Sequence, residues 1–380
     1  MIPYGKHQIS NQDLQAVSNA LKSKLITQGE RSRLFEEKIS NYCNVKYAVS
    51  SNSGTSSLII SCLAIGLKEG DYLWTSPISF IASANCGLIA GSKVDFVDID
   101  LNTHNLDIEK LEKKLILSKK NKTLPKAIVV VHMAGLSCDM KKISKLSKKY
   151  NFKIIEDASH GLGGSYFENK IGSCRYSDIT VFSFHPVKSI TSAEGGMCTT
   201  NNFKLYKNLQ MLRNNGVNKE YANKPKWFYN ANLLGFNFRL NELQASLGLS
   251  QLSRLDKFIA SRTRIAKKYN ELLLDLPIKL PFINENYKSS WHLYIIRLQN
   301  KIHIKKKSEI FNYLFSKKIF VQVHYIPIHT HGLYKKKGFK KNDFPNSIKY
   351  YEQAISLPIY PDLTLKKQKY VTSILTKCLN

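Results

Sequence analysis

The stretch Thr180–Thr200, TVFSFHPVKSITSAEGGMCTT, sets one lysine, Lys188, among polar and apolar residues. Val181, Phe182 and Phe184 are β-branched or aromatic and predict a buried strand. Glu194-Gly195-Gly196 marks a turn before a second apolar run, which places Lys188 on a loop between two strands. The nearest other lysine or arginine residues, Arg175 and Lys204, lie outside the stretch. A lysine withdrawn from water can lose its proton at neutral pH and attack a carbonyl carbon. Such Schiff-base chemistry requires partners elsewhere in the chain.

Upstream, strand and helix patterns alternate. Strands are expected over Tyr47–Ser51, Tyr72–Thr75, Lys93–Asp98, Ala127–His132 and Phe152–Glu156, with helices between them over Leu58–Ile65, Ser79–Ala90, Ile108–Leu115 and Met140–Tyr150. This rhythm predicts an α/β fold, a mostly parallel sheet covered by helices on both faces. Ligands of such sheets bind at the carboxyl ends of the strands. Asn52-Ser53-Gly54-Thr55-Ser56-Ser57 follows the first strand and opens a helix, an arrangement that offers backbone N–H groups and hydroxyls to an anion. The same residues would also serve as a plain helix cap. Asp157 ends the last of these strands, and a carboxylate buried there needs a partner for its charge. A reactive lysine, a buried aspartate and a phosphate cradle are together what pyridoxal phosphate demands.

Two amphipathic helices, Asn11–Ser23 and Arg33–Tyr42, precede this region. After the Lys188 loop, Lys204–Leu212 and Asn241–Leu252 predict helices, a further helix runs through Tyr269, and residues 214–230 read as a polar loop. Pro277–Lys288 reads as a linker. Beyond it, strands at Trp291–Leu298 and near Phe320–His324 and helices at Lys307–Lys317, near Asn346–Ile355 and at Leu365–Leu379 predict a smaller α+β unit. The expected division is a large domain over 1–255 and a C-terminal domain over 256–380.

Composition narrows the function classes. No apolar run approaches the roughly 18 residues of a membrane span, and the N-terminus has no signal-type apolar core, so a cytoplasmic protein is expected. The seven cysteines are scattered without a CxxC pair, which argues against a disulfide framework and a metal site. A net charge of +29 raises nucleic acid as a partner. However, the lysines come in short clusters (Lys305-Lys306-Lys307, Lys335-Lys336-Lys337) with no nucleic-acid-binding motif, so we expect none.

The chain resembles the DegT family of pyridoxal-phosphate-dependent sugar aminotransferases, which have the aspartate aminotransferase fold. The resemblance spans nearly the whole chain. It rests on LITQGERSRLFEEKI at 25–39, SGTSSL at 53–58, TSPISFIASAN at 75–85, VHMAG at 131–135, IIEDASHGLGG at 154–164, SFHPVKSITSAEGG at 183–196, GFNFRLNELQASLGLSQL at 235–252, HYIPIH at 324–329 and ISLPIYPDLT at 355–364. It implies Lys188 as the Schiff-base lysine and proton shuttle, and Asp157 as the partner of the pyridine nitrogen. Phe80 would stack on the cofactor ring and His160 would lie against the cofactor. Gly54, Thr55 and Ser183 would hold its phosphate, with Asn237 reaching in from the second subunit of a homodimer. His185 is expected to be structural.

Within the family, SFHPVKSITSAEGG, TQGERS and HYIPIH are most similar to the branch that carries L-glutamate nitrogen to the 4-keto carbon of a UDP-linked 6-deoxy-N-acetylhexosamine, in pseudaminic acid synthesis. That likeness implies nucleotide-sugar contacts from Tyr4, from Lys24, Leu25, Ile26 and Thr27, and from Gln322, Val323, His324 and Tyr325. Ile295, where proline is expected, and Ser56, where alanine is common, depart from the pattern outside the catalytic set. A sugar dehydratase on the same fold typically carries histidine in place of Lys188. A non-catalytic relative should have lost Asp157, Lys188 or the cradle, and all are present.

Overall fold

The computed structural model describes residues 1–218 and 224–379; part of the loop expected over 214–230, residues 219–223, lies outside the described residues. Strands β1 (Tyr47–Ser51), β2 (Tyr72–Thr75), β3 (Lys93–Phe96), β4 (Ala127–Val131), β5 (Lys153–Asp157), β6 (Ile179–Ser183) and β7 (Gly196–Thr200) form one sheet in the order β1-β7-β6-β5-β4-β2-β3. β7 runs antiparallel to both neighbours, and the pairs from β6 to β3 are parallel. Alternate residues serve opposite faces. Val129 and Val131 pack under the helices Gly54–Ala64 and Ala82–Ile89, whereas Ile128 and Val130 pack under Ile108–Lys120 and Met140–Tyr150. With helices on both faces, every residue of β4 is buried, which explains its unbroken AIVVV.

Phe182 of β6 and Met197 of β7 join Phe35 and Ile39 of the helix Glu30–Cys43 in a further core beneath the Lys188 loop. Gly172 fits against this core only because it lacks a side chain. Its φ is +100°, and a Cβ there would stand 2.6 Å from Phe182 and 2.8 Å from the Cys43 sulfur. Gly172→Ala is expected to cost about 2–5 kcal/mol of stability, the sum of left-handed strain and overpacking, read as a lowered urea midpoint.

The C-terminal region forms a second antiparallel sheet from β8 (Ile278–Lys279), β9 (Tyr294–Leu298) and β10 (Ala354–Leu357), in that order. Its core takes Val371 and Leu375 from the last helix and also Ile2 from the N-terminus. Pro277–Lys288 is not a linker. Ile278–Lys279 pairs with β9, while Tyr287–Lys288 pairs with Ser165–Tyr166, where Tyr287 packs 4.9 Å from the Tyr166 ring. Segments of two residues are too short to carry a periodic signal, so tertiary pairing alone makes them strands. The strand expected near Phe320–His324 reduces to single bridges at Ile319 and Gln322. The helix expected to run to Ile355 ends at Gln353, where the chain turns into β10.

The helix Leu255–Leu272 crosses the expected domain boundary. Leu255, Phe258 and Ile259 pack in the core beneath the Lys188 loop, and Ile265, Ala266 and Tyr269 pack in the C-terminal core. We propose 1–255 and 256–380 as the two domains, joined through this helix. Among the described residues no helix is long and apolar enough to cross a membrane.

Candidate active site

Lys188 lies between β6 and β7, on a turn closed by its own N–H donating to the His185 carbonyl at 2.9 Å. Its amine enters a cavity of about 360 Å³ at the carboxyl ends of the central strands, where Val131 ends β4, Asp157 ends β5 and Ser183 ends β6. Burial pushes the amine down to about 8, against the opposing pull of Asp157 and Glu194. At pH 7 this raises the neutral fraction well above that of an ordinary lysine of 10.5.

Asp157 is 5% exposed. Ser83 Oγ donates to one carboxylate oxygen at 2.6 Å, and the Ser159 N–H donates to the other at 3.1 Å. Ser83 shares its hydroxyl with Ser79 at 2.6 Å, so a short serine chain braces the carboxylate. Among the described residues Asp157 has no ion-pair partner. A buried carboxylate held only by neutral donors is costly unless a cation joins it.

The helix Gly54–Ala64 begins at the cavity. Ser53 caps it by accepting the Ser56 N–H at 3.0 Å, and Thr55 is exposed on the cavity side. A Cβ at Gly54 would stand 2.9 Å from that of Ser183, so the helix start and the end of β6 approach as closely as glycine allows. First-turn N–H groups and the positive helix end make this a seat for an anion.

An aromatic and imidazole wall faces Lys188. His160 Nε2 lies 3.1 Å from the Tyr325 hydroxyl, and the His292 ring sits 4.3 Å from the His160 ring. Burial first, then the charge of Lys188, holds His160 well below 6.5; the same burial brings His324 down to about 3. The buried Nδ1 atoms of His160 and His292 have no hydrogen-bond partner among the described residues. Phe80 is 57% exposed and tilts toward Tyr325 at 6.2 Å between rings. It precedes the helix, which starts at Ala82 rather than Ser79, so its ring stands in the cavity instead of the core.

Lys188, Asp157, Gly54, Thr55, Phe80, His160, Ser183, Tyr4, His324 and Tyr325 therefore share one cavity. Lys24–Thr27, Gln322, Val323 and Asn237 do not line it. Lys24–Thr27 is an exposed turn pinned where Thr27 pairs with Asn241, and Asn237 is exposed on a separate ledge. His185, expected to be structural, lines the cavity, as do Glu194 and His292.

A family model described as the DegT/DnrJ/EryC1/StrS aminotransferase family matches residues 7–376. The UDP-4-amino-4,6-dideoxy-N-acetyl-beta-L-altrosamine transaminase of Campylobacter jejuni serotype O:23/36 is 39% identical over 380 residues, covering all of this chain and 98% of that protein. Among solved structures, Helicobacter pylori PseC, an aminotransferase of pseudaminic acid biosynthesis, superposes with a TM-score of 0.92 at 34% identity, covering 100% and 99% of the two chains. The PMP form of the putative sugar aminotransferase Spr1654 from Streptococcus pneumoniae gives 0.91 at 26% identity, over 100% and 99%.

Proposed function

The chain belongs to the DegT/DnrJ/EryC1/StrS aminotransferase family and has the fold of the pyridoxal-phosphate-dependent aminotransferases; from that premise we propose that it moves the amino group of L-glutamate to the 4-keto carbon of a UDP-linked 4-keto-6-deoxy-N-acetylhexosamine, giving UDP-4-amino-4,6-dideoxy-N-acetyl-β-L-altrosamine. The observation that carries the chemistry is the convergence of a neutralisable amine, an unpaired buried carboxylate and a helix N-terminus in one cavity. These residues fit pyridoxal phosphate. When bound, that cofactor supplies a carbonyl that condenses with amines and a ring that accepts the electrons freed at the neighbouring carbon.

The protein's own groups do the rest. Gly54, Thr55 and Ser183 would hold the phosphate, and Asp157, braced by Ser83, would keep a proton on the pyridine nitrogen. Phe80 would cover the ring, and His160, steadied by Tyr325, would lie against the cofactor. Lys188 would hold the cofactor until the amine of glutamate displaces it; its freed amine would then take the proton from the α-carbon of glutamate, and with the keto sugar it would move a proton in the reverse sense. Tyr4, His324 and Tyr325 border the space for the sugar, and Lys24–Thr27, Gln322 and Val323 serve the nucleotide. We propose a cytoplasmic homodimer, in which Asn237 reaches the phosphate of the other subunit.

The sugar assignment rests on the Campylobacter and Helicobacter relatives. Incubation with glutamate and a panel of UDP-, dTDP- and GDP-linked 4-keto sugars should release 2-oxoglutarate beyond the single equivalent per site of the glutamate half-reaction only with the UDP-N-acetylhexosamine, with the product's C4 configuration fixed by NMR. Turnover confined to dTDP or GDP sugars would overturn the sugar assignment and leave the aminotransferase.

A further inference from the structure

The charges of the cavity do not match its proposed substrates. Glutamate brings two carboxylates and a nucleotide sugar brings a diphosphate. Among the described residues lining the cavity, the one lysine or arginine is Lys188, which is committed to the cofactor. Asp157 and Glu194 are carboxylates, and burial holds His160, His292 and His324 below their ordinary value. A bound phosphate makes the balance more negative still. Anions of this kind are recognised by fixed cations, arginine above all. Among the described residues, one chain does not supply that cation to its own cavity.

A second cavity, of about 610 Å³, lies between the helices Glu30–Cys43 and Phe203–Arg213 and shares no lining residue with the first. Three arginines line it. Arg213 is committed to Glu36 and to Ser50, and the exposed Arg33 pairs with Glu37 at 3.6 Å. Arg239 differs: it donates to the neutral amide oxygen of Asn214 at 2.6 Å and has no ion-pair partner among the described residues.

The segment that carries Arg239 is rigidly held. Phe236 and Phe238 stack at 4.6 Å and pack on the core, while the intervening Asn237 faces outward, as strand-like alternation dictates. The Phe238 carbonyl accepts the Asn52 N–H, and the Phe238 N–H donates to Arg213. Nearby in sequence Leu234 is 87% exposed, and Leu25 and Ile26 are 59% and 54% exposed, apolar surface that a second copy of the chain would cover.

We infer that Arg239 of each subunit serves the active site of the other, as the cation that receives a carboxylate or phosphate of the anionic substrate. The inference rests on the homodimer proposed above. It pairs an anionic pocket lacking a free cation with a guanidinium lacking an anion, and it places Arg239 on the same ledge as Asn237.

Subunit complementation tests it. Differently tagged Lys188→Ala and Arg239→Met chains are co-expressed and the heterodimer isolated. Lys188→Ala homodimers should be inactive, and Arg239→Met homodimers should lose about 10- to 100-fold in kcat/KM, as for loss of a charge-assisted contact. The heterodimer should regain about half of wild-type activity, because one of its two sites then holds both native residues. Activity no higher than that of the Arg239→Met chain would place the arginine in its own subunit's site and overturn the inference. Calorimetric titration gives a readout independent of turnover. Arg239→Met should weaken UDP or 2-oxoglutarate binding at least tenfold, with Arg239→Lys intermediate, and the ligand affected identifies phosphate or carboxylate. Affinities within twofold of wild type for both ligands would also overturn it. Should Arg239→Met fail to fold, Arg239→Lys is carried through the same measurements. Wild-type protein that binds UDP through Arg239 yet transfers no nitrogen from glutamate would refute the proposed reaction and leave the arginine's role intact.

Discussion

Lys188→Ala is expected to abolish transamination, with a loss of about 10⁴-fold, the upper range for a group that acts in proton transfer. Borohydride reduction followed by peptide mass spectrometry should find cofactor covalently attached at residue 188 in the wild type and nowhere in the variant. The fold should survive, because Lys188 forms no ion pair among the described residues and borders an open cavity. The lowered amine adds a pH signature. A base whose value falls to about 8 becomes neutral above that pH, two units or more below an exposed lysine. In cofactor-free protein, labelling of Lys188 by an amine-directed reagent should rise about tenfold per pH unit up to about 8 and then level off, while surface lysines continue to rise toward 10.5. A variant that still turns over, or a Lys188 that titrates with the surface lysines, would sink the assignment.

The parts of this site that can be read in the sequence are those at strand ends. Val181-Phe182 before the loop and Glu194-Gly195-Gly196 after it bracket Lys188, the IIED run ends at Asp157, and the serine-rich turn follows β1. Each is a change from apolar periodicity to polar residues within a few positions, a local signal. Ser83 and His292 gave no such signal. Ser83 reads as a small residue inside a helix, and only the packing of that helix over β2, β3 and β4 brings its hydroxyl to Asp157. His292 comes from the C-terminal region, delivered by Arg262, which is 1% exposed and donates to the carbonyls of Trp291, His292 and Ile359. Glu194 was legible only as part of a turn, although it lines the cavity.

The fold shows the same division. The alternating strands and helices of the large sheet follow from periodicity, with errors of a few residues at helix starts such as Ala82. The antiparallel insertion of β7 and the splitting of 277–288 between two sheets depend on contacts between distant segments, to which a periodic pattern is blind. Family likeness alone supplied Asn237 and Lys24–Thr27, exposed positions that do not line this chain's own cavity.

Asp157→Asn should separate the cost of this site from its purpose. The amide keeps an acceptor for the Ser159 N–H and can donate to Ser83, whose hydroxyl is free to reverse, so local structure should persist. What it lacks is the charge that, in the proposed function, keeps a proton on the pyridine nitrogen. The expected loss in kcat is about 10²–10³-fold, the scale of a single preorganised electrostatic contact, with glutamate KM changed far less. Stability should move the other way. A carboxylate 5% exposed and without a cation burdens the cofactor-free protein, so the variant should melt at or above wild type by about 1–3 °C before cofactor is added. Once cofactor is added, the wild type should gain more than the variant, because only the wild type pairs its carboxylate with the protonated ring. Opposite signs of the stability difference in the free and loaded proteins would show a charge buried at a structural cost and repaid only at the reaction. Equal melting in both states together with wild-type turnover would mean that Asp157 is merely a packed polar residue.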